Sequence, residues 1–169
     1  STINYDEDDI KFANDFIKKV KSKNENLLFG FHVGAAKPQN RWSLVKYVEL
    51  INTLKNLYGF DFYFTGSNSD KEQIDYMKKY FPNAGYFLNN KISQVAALIS
   101  LSDLFITNDT GVMHVAGTTN VKQISLFGPT NPFNWAPLGK DKYFIRKSEL
   151  IDDIQVDDVI HLVKIIFNK

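Results

Sequence analysis

Cysteine is absent from these 169 residues, which rules out disulfides and thiolate metal sites and fits a reducing compartment. Also missing is any apolar run near the roughly 20 residues that cross a bilayer. The first residues, Ser1-Thr-Ile-Asn-Tyr-Asp6, lack the basic and apolar regions of a signal peptide. Neither charge dominates: 20 basic against 19 acidic side chains leave a net +1, so no basic field invites nucleic acid and no acidic tail is present. Position 1 is not a methionine, and Met77 and Met113 are internal, so the chain is expected to be a piece of a longer protein.

Several chemical signatures are lacking too. Gly34-Ala-Ala-Lys-Pro38 follows the first predicted strand, in place of the Gly-x-Gly-x-x-Gly turn that brings a dinucleotide pyrophosphate against the backbone. There is no Gly-x-x-x-x-Gly-Lys-Ser/Thr loop, as a P-loop NTPase needs, and no Gly-x-Ser-x-Gly elbow for a hydrolase nucleophile. His32, His114 and His161 lack metal-ligand spacing.

What is present suits one domain with a sizeable core: 44% of the residues are hydrophobic and 14% aromatic. Apolar runs at 27–34, 60–65, 86–88, 103–107, 121–127 and 142–146 predict strands. Between them lie helical patterns. Asp6-Glu-Asp-Asp9 opens a helix with Ile10, Ala13, Phe16, Ile17 and Val20 on one face, and Asp6-x-Asp8 is read there as capping rather than as a metal pair. A second helix covers about 43–58 and is ended by Gly59, and a third runs through Ile74, Met77 and Phe81. A fourth is capped by Ser93, and the last carries Val156, Val159, Ile160, Val163 and Ile166, with Lys164 and Lys169 near its end. Residues 128–137, rich in proline and glycine, predict a loop. This alternation implies an α/β fold: a Rossmann-like, doubly wound parallel sheet of about six strands with helices on both faces.

The chain's organising stretch is Ile106-Thr-Asn-Asp-Thr-Gly-Val-Met-His-Val-Ala-Gly117, a strand, a turn and a helix. Such a junction lies at the carboxyl edge of a parallel sheet, where ligands bind, and the free N–H groups of a helix's first turn favour an anion. Asp109 and Thr110 read either as caps for that helix or as ligand contacts.

Asp109-Thr-Gly-Val-Met-His114 followed by Leu126-Phe-Gly-Pro-Thr130 resembles the paired signature of the family-9 glycosyltransferases, the ADP-heptose:lipopolysaccharide heptosyltransferases and their relatives. Gly34 through Arg41-Trp42 is similar to that family's donor loop, and Lys91-Ile-Ser93 with Ala96-Ala97-Leu98 to the segment before the strand leading to Asp-Thr-Gly. The pieces fall in order from about Phe29 to Pro137. The resemblance implies the C-terminal, donor-binding half of a two-domain GT-B enzyme that moves a heptose from ADP-heptose, or a related nucleotide diphosphate sugar, to the lipopolysaccharide core. It implies no metal ion. The catalytic base and the lipid-linked glycan acceptor belong to an N-terminal domain absent from this chain, so no catalytic residue is expected here and the fragment alone is expected to be inactive. It also implies a cytoplasmic protein, peripheral at the inner face of a bacterial inner membrane.

Carried over by position, Asp109, Thr110 and Gly111 hold the sugar and diphosphate, with Asp109 better suited to sugar hydroxyls. His114 reads as a donor contact or a structural residue. Ile92 reads as an apolar face for the nucleobase or ordinary core, and Asp70 as a ribose ligand or a solvated helix start. The chain departs from the family where Lys-x-Trp-Pro becomes Asn40-Arg-Trp-Ser43, which leaves Arg41 or Lys37 to meet the phosphates. Ala35 and Ala36 replace hydroxyl residues, leaving only backbone N–H groups. Two alternatives remain: a non-catalytic nucleotide-binding module, and a degenerate interaction domain.

Overall fold

Six strands form one fully parallel sheet in the order β3-β2-β1-β4-β5-β6 in a computed structural model that describes residues 3–168. The strands are β1 (Leu27–His32), β2 (Phe60–Gly66), β3 (Gly85–Leu88), β4 (Leu104–Asn108), β5 (Gln123–Phe127) and β6 (Lys142–Arg146). Among the described residues seven α-helices connect or flank them: α1 (Glu7–Val20), α2 (Leu44–Lys55), α3 (Lys71–Tyr80), α4 (Ile92–Ser100), α5 (Gly111–Gly117), α6 (Pro132–Trp135) and α7 (Val156–Phe167). Lys169, expected near the end of the last helix, and Ser1 and Thr2 of the N-terminal stretch lie outside the described residues. No helix among the described residues is long and apolar enough to cross a membrane.

Strand alternation sorts the core into two layers. Phe29, Phe31, Phe62, Phe64, Ile106 and Leu126 face α2, α3 and α7, while Leu28, Tyr63, Phe87 and Phe105 face α1, α4 and α5. Both faces of the central strands are therefore covered, and β1 and β4 read as continuous apolar runs for that reason. The strand order reverses between β1 and β4, leaving a crevice beyond their carboxyl ends.

Several boundaries differ from the sequence expectation. α2 stops at Lys55, before Gly59, because the N–H groups of Leu57 and Tyr58 both turn back to the Leu54 carbonyl at 2.9 Å. Ser93 is not the cap of α4. The helix starts at Ile92, Gln94 Oε1 accepts the Lys91 N–H at 3.1 Å, and the Ser93 hydroxyl donates to Asp9 Oδ1 at 3.3 Å. The loop at 128–137 contains one helical turn, α6, with proline at its start and the Asn131 side chain accepting from Phe133 N. At α1 the Asp6 side chain accepts the Asp9 N–H and Asp9 returns the bond, so Asp6 is a cap.

Candidate functional site

The carboxyl ends of β1, β2, β3 and β4 open into a hollow of about 270 Å³. One wall is apolar, made by Ile92 and Val95 of α4 and Val112 and Val115 of α5. The polar part of the lining includes Ser67, Asp70, Asn89 and Asn90. A mostly apolar recess with a few polar groups at its rim is the usual form of a small-molecule site.

The loop after β1 is held over this crevice by Asn108, the last residue of β4. Its Nδ2 donates to the carbonyls of Val33 (3.0 Å) and Gly34 (3.2 Å), and its Oδ1 accepts from Trp42 N (3.3 Å) and the Tyr47 hydroxyl (2.8 Å). The amide uses donors and acceptors alike, which an aspartate or a leucine of similar volume could not do. Trp42 is wholly buried, and its indole N–H donates to Ile154 O at 3.0 Å, fixing the far end of the loop.

Asp70 is 6% exposed, so the solvated-start reading is overturned. Its Oδ2 accepts the Ser67 N–H (2.9 Å) and hydroxyl (3.3 Å) and lies 3.9 Å from His32 Nε2. On its other side is Gly34, where a β-carbon would come within 2.1 Å of Asp70 Oδ1. His32 is buried beneath the hollow, with Nδ1 2.7 Å from Thr65 Oγ1. Burial pushes the imidazole's pKa down, against the opposing pull of Asp70 and Thr65, and keeps the ring neutral at pH 7.

Thr110 caps α5, its hydroxyl accepting the Val112 N–H at 3.1 Å. Asp109 is not that cap: its half-buried carboxylate has no hydrogen bond or ion pair among the described residues. Gly111 opens the helix, and a β-carbon there would meet nothing within 4 Å. Its φ is not positive either, so neither backbone conformation nor internal packing explains the glycine.

Of the residues singled out in the sequence, Ala35, Ala36, Asp70, Ile92, Thr110 and Gly111 come together around the hollow. Ile92 is 61% exposed, so the core reading is corrected. Lys37, Arg41, Asp109 and His114 stand outside its lining. Arg41 Nε donates to the carbonyl of Ala35 at 2.8 Å, whereas Lys37 and His114 are exposed. His114 is thus no structural core residue. Sequence reasoning missed Asn108, His32 and Thr65 as site residues. The signal was available for His32, a polar side chain inside an otherwise apolar strand. Among the described residues no three His, Cys, Asp or Glu side chains gather as metal ligands.

Known proteins share this frame. Lipooligosaccharide heptosyltransferase 2 of Haemophilus ducreyi is 32% identical over 143 residues, which cover 78% of this chain and 40% of that protein. The chain therefore spans about two fifths of the length of the curated relatives it matches. Among solved structures, a glycosyl transferase family 9 protein from Veillonella parvula superposes with a TM-score of 0.81 at 22% identity, covering 97% of this chain and 53% of the other. The Escherichia coli ADP-heptose LPS heptosyltransferase II gives 0.79 at 24%, with 97% and 52% covered. The family model described as Glycosyltransferase family 9 (heptosyltransferase) matches residues 1–157, nearly the whole chain, and to that family the chain belongs.

Proposed function

We propose that the chain is the donor-binding domain of a glycosyltransferase that moves a heptose from ADP-heptose to the lipopolysaccharide core. The carrying observation is Gly111, a glycine in the wall of a switch-point hollow that nothing inside the protein requires. A ligand passing close to the backbone supplies the missing reason. In this reading the base lies against Ile92, Val95, Val112 and Val115, and Asp70 receives the ribose diol. The diphosphate turns toward Thr110, Gly111 and the backbone N–H groups of Ala35 and Ala36, and Asp109 takes sugar hydroxyls. His114 meets the donor from the exposed face of α5.

Chemistry follows from charge. Displacing the nucleoside diphosphate builds negative charge on the leaving phosphate, and α5, only seven residues long, offers a weak dipole to meet it. Arg41 and Lys37 then carry the neutralisation, without a metal ion. The attacking hydroxyl belongs to the acceptor glycan, the carboxylate that deprotonates it comes from an N-terminal acceptor domain, and direct displacement inverts the anomeric centre. This domain's part is to orient the donor and stabilise the departing ADP. The enzyme works in the cytoplasm, against the inner face of a bacterial inner membrane where the lipid-linked acceptor is held.

Thermal unfolding of the chain with ADP, UDP, GDP and ADP-linked sugars tests the reading. ADP and its sugars at about 100 times their dissociation constant should add about 2.7 kcal/mol of stability. No rise with any nucleotide would instead identify an interaction domain without a ligand.

A further inference from the structure

We propose that His32 is a positioning residue for this site: its ring, anchored on Thr65, fixes where the Asp70 carboxylate stands and so sets the grip on the ribose diol of a nucleotide. The inference rests on the reading of Asp70 as the diol's receptor and adds a residue to it.

The geometry is that of a slot. Gly34 closes one side of the carboxylate, where a β-carbon would fall 2.1 Å from Oδ1, and His32 Nε2 closes the other at 3.9 Å from Oδ2. Ser67 holds Oδ2 from its own side through its N–H and hydroxyl. Oδ1 has no hydrogen-bond partner among the described residues and is not a sealed, orphaned atom. It is the oxygen left to a ligand.

His32 carries its own orientation. Thr65 Oγ1 stands 2.7 Å from Nδ1; we assign the hydroxyl as the donor there, which places the ring's remaining proton on Nε2, the nitrogen turned to Asp70. At 3.9 Å that N–H is too far for a hydrogen bond, so it orients the carboxylate electrostatically and leaves Oδ2 to Ser67. A second proton changes this balance. The imidazolium draws Oδ2 into a direct ion pair and away from Ser67, which turns Oδ1 from the diol. Among the described residues Asp70 is the only charged neighbour acting on the ring, while Thr65 on β2 and Thr107, the register partner of His32 on β4, are uncharged. The hollow's lining from α4 and α5, Ile92, Val95, Gly111, Val112 and Val115, holds no charged side chain.

Calorimetric titration of the chain with ADP and with 2′,3′-dideoxy-ADP reads the diol contact alone. The unaltered protein should prefer ADP by about tenfold at pH 7.5, the size of one charge-assisted hydrogen bond. That preference should weaken as the pH falls below 6.5, because burial holds the imidazole's pKa below its ordinary value and the ring takes up its proton only in acid. His32→Phe should cut it to threefold or less at pH 7.5. His32→Gln, whose amide N–H replaces Nε2–H, should restore it and make it insensitive to pH until the carboxylate itself titrates. The pH profile of the unaltered chain needs no variant to fold. A preference unchanged in His32→Phe, with the same acid profile in His32→Gln as in the parent, would overturn the role of His32 while Asp70→Asn still abolishes the preference. If Asp70→Asn leaves the preference intact, the diol reading itself fails and this inference falls with it.

Discussion

The backbone N–H of Trp42 donates to Oδ1 of Asn108 at 3.3 Å, which makes Arg41 and Asp109 the chain neighbours of one hydrogen-bonded pair. The loop after β1 and the corner after β4 are thus joined through buried amide chemistry. Removing it should disturb stability and binding together. Asn108→Ala leaves the carbonyls of Val33 and Gly34 and the Tyr47 hydroxyl without their partner, and about 3 kcal/mol of unfolding free energy should be lost in urea titrations. Asn108→Asp should do no better, because a carboxylate cannot donate to the two carbonyls.

Gly111→Ala separates binding from folding. A methyl group there has free space, and alanine favours the helix by up to about 1 kcal/mol over glycine, so the melting temperature should hold or rise. ADP affinity should nevertheless fall at least tenfold. Calorimetry showing undiminished affinity would remove the main support for a ligand at this corner.

Gly34→Ala should behave in the opposite way on stability and the same way on binding. The new β-carbon falls within 2.1 Å of Asp70 Oδ1, and overpacking of this kind costs about 1–3 kcal/mol. Comparing the two alanine variants in one denaturant series checks both.

Arg41 holds the Ala35 carbonyl through Nε, which leaves its terminal nitrogens for a phosphate. Arg41→Ala should weaken ADP about tenfold and adenosine hardly at all, with Lys37→Ala giving a smaller loss. Equal losses for ADP and adenosine would mean that the arginine only shapes the loop.

Alkaline pH gives a test of the fold independent of any ligand. The Lys142 ammonium donates to the carbonyls of Ala116 (3.2 Å) and Val121 (2.7 Å), and burial pulls its pKa down to about 8 against the pull of Asp141. At pH 9 the unfolded chain keeps this proton while the folded chain has largely released it. The unfolded state therefore binds more protons, and Lys142 makes stability climb as pH rises from about 8 toward 10. Above 10 the trend reverses, because burial raises the hydroxyls of Tyr47, Tyr63 and Tyr86, which stay protonated in the fold and ionise in the unfolded chain. Urea midpoints measured from pH 7 to 11 should trace this rise and fall, and Lys142→Met should flatten the rising limb.

The fold could be read in the sequence because strands covered on both faces are written as nearly unbroken apolar runs, as 27–32 and 104–108 are. Helix ends were harder. Nothing in Asn56-Leu-Tyr58 announces that two N–H groups will share the Leu54 carbonyl. In the site, the contiguous motifs around Ala35-Ala36 and Thr110-Gly111 were legible, and both line the hollow. The pairing of His32 with Asp70 was not, since it depends on the register that sets Phe31 against Phe64 on neighbouring strands. Ser67-Asn-Ser-Asp70 looks solvated in one dimension. It is the room left by Gly34 that lets the carboxylate sink inward.

The closing helix α7 has a practical bearing on how the domain is handled. It packs along α2, inserts Val159, Ile160 and Val163 into the larger core, and stacks Phe167 on Phe29 with ring centres 5.8 Å apart. Each such side chain contributes roughly 1.5–3 kcal/mol, so together they rival the 5–15 kcal/mol or so that keeps a whole domain folded. Trimming the chain at residue 157, where the family match ends, would strip this cover from β1 and yield a sticky, aggregating polypeptide.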